Sequence, residues 1–528
     1  MTTPIPKLLS GVLLLENNKT YGRTPNKKRL LYKCISNDKS LAPFLIPYEI
    51  KMGFSKKFIN KYITFTSEST IVEILGNVDN LEAFYEYQLY CKNLHISISK
   101  LTNQTRLLCS RLSSDNYITQ ILNDSRFIIQ DRRQEYIITI DPKNSLDFDD
   151  GFSITPSING TYKISVYIAN VYFWLEILEL WAYMSDRIST IYLPDKRRTM
   201  LPTILSDELC SLQEKQNRFA FTMDLIIDAN GEILEEPQYC NSIINVSKNY
   251  CYDESKLLKD LHYIHLFDMT QKIMANRDDA GDMNDSHDLV AFWMVQMNKS
   301  CSEYMIRHKF GIFRATQSRA LIKAIPMSDS TITAQQGNSL IKAQQGNPLI
   351  KAQCNYWNNV SGQYILYSEN HQELEHTIMN MKSYIHITSP IRRLVDLLNQ
   401  MSMMQHLGII TELSSDASTF LLKWIQNIDY INTTTKSIRK VQTECELLTR
   451  CIQDPDIIGQ IFDGIVFDVT VKPDGRYTYT IYLESLKMLS TITTAHCLND
   501  SIYQFKLYLF QDEYNSKKKI RLQLQDSI

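Results

Sequence analysis

The prediction of the fold begins with the stretch Ile138-Thr139-Ile140-Asp141-Pro142-Lys143-Asn144-Ser145-Leu146-Asp147-Phe148-Asp149-Asp150. Its first residues are typical of a buried strand, and the rest is a loop that carries four aspartates. Carboxylates that lie close together repel one another. Such a cluster persists where water solvates it on a loop, where it is partly protonated, or where a cation neutralises it.

The ligand type restricts which cation the aspartates would bind. Oxygen ligands favour Mg²⁺, Mn²⁺ or Ca²⁺ over zinc. A calcium loop of the EF-hand type is excluded, because its sixth-position glycine would be Gly151 and its first ligand would then be Leu146. A magnesium site for phosphoryl transfer fits, since substrate phosphate and water complete the coordination of a few carboxylates. The cluster alone leaves an acidic surface turn open as the alternative.

A second segment reads His386-Ile387-Thr388-Ser389-Pro390-Ile391-Arg392-Arg393-Leu394-Val395-Asp396. Ser389 suits a helix N-cap and Pro390 the first helical position, so a helix is predicted over 390–406. Its free N–H groups would form an anion site, and two arginines there are best explained by a phosphate. Asp396 would orient one of these arginines. A plain capped helix with a local ion pair stays open.

Hydrophobic patterns divide the chain into three predicted regions. Residues 1–130 are predicted to be β-rich, with strands near 12–15, 30–34 and 62–65, and to form an RNA-binding region of the OB or cold-shock type. Residues 131–453 alternate between strands, such as 136–140 and 162–169, and helices, such as 286–308. Residues 454–528 are predicted to form a small barrel of the OB or S1 type, with strands at 461–471 and 477–483. A nine-residue repeat at 335–352 is interpreted as a surface-loop insertion.

Composition restricts the class of protein without identifying it. The chain has 528 residues, with 56 Lys and Arg against 58 Asp and Glu, and this balance neither supports nor excludes RNA as a partner. Eleven scattered cysteines without a C-x-x-C pair argue against a zinc ribbon and indicate a reducing compartment. The most apolar stretch, 171–184, is interrupted by Glu176 and Glu179. We therefore expect a soluble, cytoplasmic protein without a membrane segment.

The aspartate and arginine segments together resemble the two hallmark motifs of the ribonuclease II / ribonuclease R family, the RNB exoribonucleases. The family pattern T-I-D-P-x-x-x-x-D-x-D-D matches 139–150, and H-x-T-S-P-I-R-R-x-x-D matches 386–396. Shorter stretches at 187–194, 209–212 and 217–220 are also similar to the family. The resemblance implies a multidomain α+β protein in which a central RNB catalytic domain, a mixed sheet with helices and an RNA channel, is flanked by small β-barrel domains.

The resemblance also implies a function and a role for individual residues. It implies processive 3′→5′ hydrolysis of single-stranded RNA to nucleoside 5′-monophosphates, with Mg²⁺ or alternatively Mn²⁺ as cofactor. We expect a monomer that acts alone or within an RNA-processing complex. Metal ligands would be Asp141, Asp147, Asp149 and Asp150; the catalytic residues would be Asp149 and Arg392; and RNA contacts would come from Tyr192, Ser389, Arg393 and Asn298.

Five positions in three segments depart from the family pattern. Asn170 replaces the aspartate of an H-I-A-D-V strand, Ala291 and Phe292 replace the glutamates of V-E-E-x-M, and Asn399-Gln400 replaces an H-R pair. These departures keep a second hypothesis open, namely an RNA-binding protein of the same fold with weakened catalysis.

Overall fold

The structure is a computed structural model that describes residues 8–26, 28–50, 58–276, 283–316, 362–376, 379, 381–486, 488–498 and 502–525. The repeat predicted to be a loop insertion, 335–352, lies outside the described residues. The described parts of Met1–Ile96, Ile191–Arg198 and Lys436–Ile528 form one compact unit, and those of Ser97–Thr190 and Thr199–Thr435 form the second.

The first unit begins with an antiparallel sheet in the order β3-β2-β1-β4-β5. Its strands are β1 Leu8–Leu13, β2 Leu30–Ser36, β3 Phe44–Tyr48, β4 Lys61–Thr66 and β5 Ile71–Asn77. Leu13, Tyr32 and Phe65 are fully buried in one core because alternate side chains point to the same face. The strands predicted at 30–34 and 62–65 are confirmed, the strand predicted at 12–15 lies earlier, at Leu8–Leu13, and the sheet has the predicted OB-like character.

Three helices follow where strands had been predicted to continue. They are α1 Leu81–Cys91, α2 Ser99–Cys109 and α3 Ser114–Asn123. Ser113 caps α3 by accepting a hydrogen bond from the Asn116 N–H, and Tyr117, Ile118 and Ile121 form its buried face. The β-rich description therefore holds for β1–β5 and is wrong for 81–123, where capping residues and helical apolar spacing were overlooked.

A seven-stranded mixed sheet forms the centre of the second unit, in the order β14-β7-β8-β9-β12-β13-β6. Its strands are β6 Ile129–Arg132, β7 Ile138–Asp141, β8 Asp150–Pro156, β9 Tyr162–Ala169, β12 Asn217–Ile227, β13 Gln238–Asn245 and β14 Lys248–Cys251. The pairs β13/β6 and β14/β7 are parallel, and the others are antiparallel. Two ribbons complete the strands of the middle of the chain: β10 Ile191–Tyr192 with β11 Arg197–Arg198, in the first unit, and β15 Ile312–Thr316 with β16 Gly362–Leu366.

Further helical segments lie between β9 and β12, and the other helices come after β14 in the sequence. They are α4 Val171–Ile177, a π-helical segment Ile204–Leu209, α5 Leu261–Ala275, α6 Ser286–Arg307, α7 Leu394–His406, α8 Ser415–Ile425, α9 Ile428–Gln453 and α10 Asp456–Gly459. The prediction for α6 is confirmed to within one residue, and Asp285 caps it by accepting from the His287 and Asp288 N–H groups. No helix in the described ranges is long and apolar enough to cross a bilayer.

The C-terminal strands form a second five-stranded sheet, in the order β19-β18-β17-β20-β21. They are β17 Ile461–Val471, β18 Tyr477–Leu483, β19 Met488–Thr494, β20 Ile502–Gln511 and β21 Lys518–Leu524. The edge strands β19 and β21 contact one another, so the sheet is a nearly closed barrel. The predicted strands 461–471 and 477–483 are confirmed, and the predicted multidomain α+β class with small β-barrels is confirmed with them.

Candidate active site

The aspartates lie where two neighbouring strands of the seven-stranded sheet meet the loop between them. Strand β7 ends at Asp141 and β8 begins at Asp150, so both ends of the loop are at one edge of the sheet. We call residues 142–149 the aspartate loop. Asp149 is 2% exposed and Asp150 7%, whereas Asp147 is half-buried. The alternative of an acidic turn solvated at the surface is therefore wrong for Asp149 and Asp150.

The arginine segment, residues 386–396, contacts the aspartate loop directly. Asp149 Oδ1 accepts a hydrogen bond of 3.1 Å from the Ile391 N–H, across 242 residues of sequence. Asp149 Oδ2 lies 3.1 Å from Arg392 Nε, at ion-pair distance. The Arg392 backbone carbonyl accepts in turn from the Thr190 N–H at 2.9 Å and from Ser189 Oγ at 3.0 Å. Both predicted motifs thus contribute to one site.

The helix after the arginine segment begins later than predicted. Helix α7 starts at Leu394, and Arg393 before it has extended backbone angles. The prediction of a helix from Pro390 with outward-facing free N–H groups is wrong because carboxylates accept from the N–H groups of this segment. Asp396 Oδ1 accepts from the Ser389 N–H at 2.8 Å, as Asp149 does from Ile391. A bridge between Ser189 and Arg393 holds the backbone extended.

Burial and mutual repulsion make the carboxylates reluctant to ionise. Burial raises the pKa of Asp149 to about 8, against the opposing attraction of Arg392. Burial and then the charge of Asp150 raise the pKa of Asp141. Burial also raises the pKa of Asp150, again opposed by Arg392. Desolvated carboxylates of this kind favour either a bound proton or a bound cation.

The residues at the site fit a hard divalent cation that keeps part of its hydration. Within the part of the chain that the structure describes, one buried oxygen of each of Asp141 and Asp150 has no hydrogen-bond partner, and Oδ2 of Asp149 faces Arg392 in an ion pair. No three His, Cys, Asp or Glu side chains among the described residues enclose a cation by themselves. Magnesium usually keeps several waters and binds through one or two carboxylates and substrate phosphate, so an open set of this kind suits it.

The other predicted RNA-binding residues support the arginine segment. Asn298 is 2% exposed and accepts from the Ile387 N–H at 2.9 Å, while its Nδ2 donates to the Tyr384 hydroxyl at 2.9 Å. Ser389 is buried, and its Oγ accepts from Arg392 Nη2 at 3.2 Å. Arg393 Nη2 donates to Asp396 Oδ1 at 2.9 Å, as predicted for one of the two arginines. Their contact with RNA stays a prediction.

Tyr192 is described with the first unit. It lies on the β10 strand of the β10/β11 ribbon, pairs with Arg197, and is 42% exposed. An exposed aromatic ring on a ribbon is compatible with stacking on a base. The predicted stacking stays a prediction.

Tyr252 is a neighbour of the site that the sequence did not reveal. Parallel pairing of β14 with β7 sets Cys251 opposite Asp141, so the next residue enters the site. The Tyr252 N–H donates to the Asp141 carbonyl at 3.1 Å, and its ring stacks on His287 with 3.7 Å between centroids. Burial, followed by the charges of Asp150 and Asp141, raises the Tyr252 pKa. The position of Tyr252 depends on the pairing of β14 with β7, which the local sequence does not indicate.

Two of the departures from the family pattern meet behind the site. Asn170 Nδ2 lies 3.2 Å from both Asn241 Oδ1 and Met404 Sδ. Gln400, one turn before Met404 on α7, donates from Nε2 to the Ala169 carbonyl at 3.2 Å. We call Asn170, Asn241 and Gln400 the amide cluster. Ala291 and Phe292 lie elsewhere, on α6, where Ala291 is exposed.

Comparisons with known proteins bear on the family and on the fold of the chain. The RNB domain matches residues 129–262 and 259–408, more than half of the chain. DIS3-like exonuclease 2 of Schizosaccharomyces pombe is 34% identical over 185 residues, which are 35% of this chain and 19% of that protein. The chain therefore aligns with about a fifth of this relative's length.

Solved structures resemble the chain over nearly its whole length. RNase R of Mycoplasma genitalium in complex with ribose-methylated single-stranded RNA has a TM-score of 0.68 at 18% identity, covering 98% of this chain and 89% of that one. Yeast Ssd1, a pseudonuclease, has a TM-score of 0.61 at 14% identity, covering 96% and 67%. At these identities the structures support the fold, and the domain match decides the family: the chain belongs to the RNB domain family.

Proposed function

We propose that this protein is a metal-dependent exoribonuclease that removes nucleoside 5′-monophosphates from the 3′ end of single-stranded RNA. One observation carries the proposal: Asp141 and Asp150 each have a buried oxygen without a hydrogen-bond partner, beside a buried Asp149 that pairs with Arg392. A site of this kind combines a place for a cation with a cationic side chain for a phosphate. The family membership and the exonuclease relative support the assignment of this protein as a nuclease.

Asp141, Asp149 and Asp150 would hold Mg²⁺, with Mn²⁺ as an alternative, and Asp147 would add a fourth carboxylate nearby. The bound ion would supply a nucleophilic water at neutral pH and neutralise charge on the phosphate. It would also remove the cost of keeping buried carboxylates ionised, because its charge replaces their lost hydration.

Arg392 would contact the scissile phosphate. Its side chain is 45% exposed while Asp149 and Ser389 hold two of its nitrogens, so the guanidinium is oriented and still reachable by substrate. A planar guanidinium is well suited to phosphate oxygens, and a preoriented donor stabilises charge that develops in the transition state. RNA contacts would also come from Tyr192, through stacking of its ring on a base. The arginine segment would contribute further contacts, made directly or supported by Ser389, Arg393 and Asn298.

The proposal is tested with 5′-labelled single-stranded RNA incubated with and without Mg²⁺. We expect a ladder that shortens from the 3′ end to a small limit product, only with the metal, together with release of 5′-monophosphates. Internal fragments would indicate an endonuclease instead. The Asp149→Asn protein should bind the RNA and leave it intact. Hydrolysis by Asp149→Asn at the wild-type rate would overturn the proposal.

A second candidate is an RNA-binding protein of the same fold without nuclease activity. It is motivated by Asn170, Ala291 and Phe292 and by the likeness to yeast Ssd1, a pseudonuclease. The candidates differ at the aspartates, because a protein freed from catalysis has no reason to keep three buried carboxylates that repel one another. RNA binding by the wild-type chain without any Mg²⁺-dependent product would favour the second candidate.

A further inference from the structure

The aspartate loop is held mainly by a neighbouring segment, and at its last residue the Asp149 carbonyl also accepts from the Ala169 N–H of β9 at 2.8 Å. It joins β7 to β8 without a strand of its own, and Asn144 in it has a positive φ of 70°. A loop with few backbone pairings is mobile unless other groups bind it. Two carboxylates of the site, Asp147 and Asp149, depend on its position.

Ser211 supplies the hydrogen bonds that fix this loop. Its hydroxyl donates to the Leu146 carbonyl at 2.8 Å and accepts from the Phe148 N–H at 3.0 Å. The Leu212 N–H donates to the Phe148 carbonyl at 3.0 Å. These three bonds lie on both sides of Asp147 and directly before Asp149. Ser211 is fully buried, so water does not compete for its hydroxyl.

Arg218 in turn fixes Ser211 from the beginning of β12. Arg218 Nε donates to the Ser211 carbonyl at 2.8 Å, and Nη2 donates to Gln213 Oε1 at 3.0 Å. Nη1 donates to the Asn217 carbonyl at 2.9 Å. The residue is 6% exposed, and burial lowers the pKa of Arg218 although the charges of Glu208 and Asp115 oppose this. A guanidinium buried on neutral acceptors is costly, which a purely structural position would avoid with an apolar residue.

The same segment also contacts the strand that carries Asp141. Asn249 Nδ2 donates to the Leu212 carbonyl at 3.0 Å and to Thr139 Oγ1 at 2.8 Å, two residues before Asp141. Gln213 Nε2 donates to the Asp207 carbonyl at 2.6 Å, within the π-helical segment. π-Helical turns occur frequently at functional sites. Residues 211–213 therefore contact both the strand before the aspartate loop and the loop itself.

We infer that Ser211 and Arg218 are positioning residues that hold Asp147 and Asp149 in the geometry required for hydrolysis, an inference that rests on the proposed function. Both residues are buried, which leaves little of either side chain exposed for contact with RNA. Their removal leaves RNA binding in place and lets the loop shift, and misplacement by about 1 Å can cost on the order of a hundredfold in rate. This assigns a role to the stretches 209–212 and 217–220, which matched the family pattern without a function of their own.

The test compares Ser211→Ala and Arg218→Lys with a matched control, Ser242→Ala. Ser242 is also fully buried and its hydroxyl lies 2.6 Å from Thr222 Oγ1, away from the aspartate loop. We expect kcat to fall about 10- to 100-fold in Ser211→Ala, with KM and RNA affinity within about twofold of wild type. Arg218→Lys keeps the charge but not the fork of donors, so we expect a smaller fall in kcat. Ser242→Ala should lower the melting temperature and leave kcat unchanged.

Amide hydrogen exchange separates this inference from the proposed function. Exchange at Phe148 and its loop neighbours should accelerate in Ser211→Ala and Arg218→Lys but not in Ser242→Ala, whether or not the protein cleaves RNA. Unchanged exchange in the loop would overturn the inference, as would a fall in kcat no larger than in the control or an equal loss of RNA affinity. Absence of hydrolysis by the wild-type chain would overturn the proposed function and leave the exchange result to decide whether the loop is held in this way.

Discussion

The aspartate cluster (Asp141, Asp149 and Asp150) and the amide cluster lie side by side in the same unit, joined by the hydrogen bond from the Ala169 N–H to the Asp149 carbonyl. Both are buried, and both leave side-chain oxygens without a hydrogen-bond partner among the described residues, Asn170 Oδ1 and Gln400 Oε1 in the second case. They differ in charge: one keeps carboxylates, and the other has amides where the family pattern has charged residues.

The difference in charge between the two clusters indicates which buried charges this chain keeps. A buried carboxylate is costly unless a cation or a set of donors compensates it, whereas a buried amide with one unsatisfied oxygen costs much less. Arg392 forms an ion pair with Asp149, and its charge opposes the rise in pKa of all three aspartates. The chain thus has carboxylates in the aspartate cluster, where a bound cation would compensate their charge. The neighbouring amide cluster is uncharged.

The largest expected effect is the loss of hydrolysis on Asp149→Asn. The amide keeps the acceptor for the Ile391 N–H but cannot hold a cation, so we expect at least about a thousandfold lower rate in the RNA assay. The same variant should melt at a higher temperature than wild type in metal-free buffer at pH 8, because a buried charge has been removed. Asp416→Asn, an exposed carboxylate at the start of α8, is the control and should change neither property. A lower melting temperature for Asp149→Asn would contradict the view that the aspartates are costly.

The second prediction introduces charge into the amide cluster. Asn170→Asp places a carboxylate at a fully buried position, and Gln400→Arg places a guanidinium one turn from Met404, which Asn170 contacts. Each single change leaves a buried charge unpaired, so we expect a loss of about 3–5 kcal/mol in the free energy of unfolding.

The double variant Asn170→Asp with Gln400→Arg restores the pair of charges that the family pattern has at these positions. We expect it to regain part of the summed loss, with a coupling energy of roughly 1–3 kcal/mol in a double-mutant cycle from denaturant unfolding. Additive effects of the two changes would show that the positions are independent and that the family's two charges were lost separately.

The third prediction concerns pH and metal. The folded-state pKa of Asp149 is near 8, above its ordinary value of 3.8, so the folded protein holds a proton that the unfolded chain releases. Its contribution to stability is therefore full below about pH 4 and is lost as the pH rises through about 8. In metal-free buffer the melting temperature of wild type should fall from pH 6 to pH 8 by more than that of Asp149→Asn.

Mg²⁺ should reverse this loss at pH 8 and have a smaller effect at pH 6, because protons then occupy Asp141 and Asp149, whose pKa values are both about 8. At about 100 times its dissociation constant, a ligand of the folded state stabilises by roughly 2.7 kcal/mol. Equal stabilisation of wild type and Asp149→Asn by Mg²⁺ would place the ion elsewhere.

The comparison also shows which parts of the structure the sequence could reveal. Strands β9, β17 and β18 have the predicted bounds because hydrophobic patterning and turn residues determine them locally. Asp149 and Arg392 were predicted to share a site because two long motifs occur in order, and the ion pair confirms their proximity.

The start of α7 and the position of Tyr252 could not be predicted in the same way. The local sequence Ser389-Pro390 favours a helix start, but Asp149 accepts from the Ile391 N–H across 242 residues and the bridge to Ser189 keeps Arg393 extended. Tyr252 reaches the site through parallel pairing of β14 with β7, which is a property of the whole sheet. The proximity of Asn170 and Gln400 is likewise invisible until β9 and α7 are placed.

The smallest expected effect comes from replacing an amide by an apolar residue of similar shape, Gln400→Met. The change removes the bond from Nε2 to the Ala169 carbonyl, and it also removes Oε1, an acceptor without a partner in the described part of the chain. A lost hydrogen bond contributes about 1 kcal/mol, and removal of an unsatisfied buried acceptor offsets a similar amount. We therefore expect the free energy of unfolding to change by less than about 1 kcal/mol and the rate of RNA hydrolysis to stay within about twofold of wild type. A tenfold fall in rate at unchanged stability would mean that the amide cluster takes part in the site, and the division into a charged functional cluster and a neutral structural one would no longer hold.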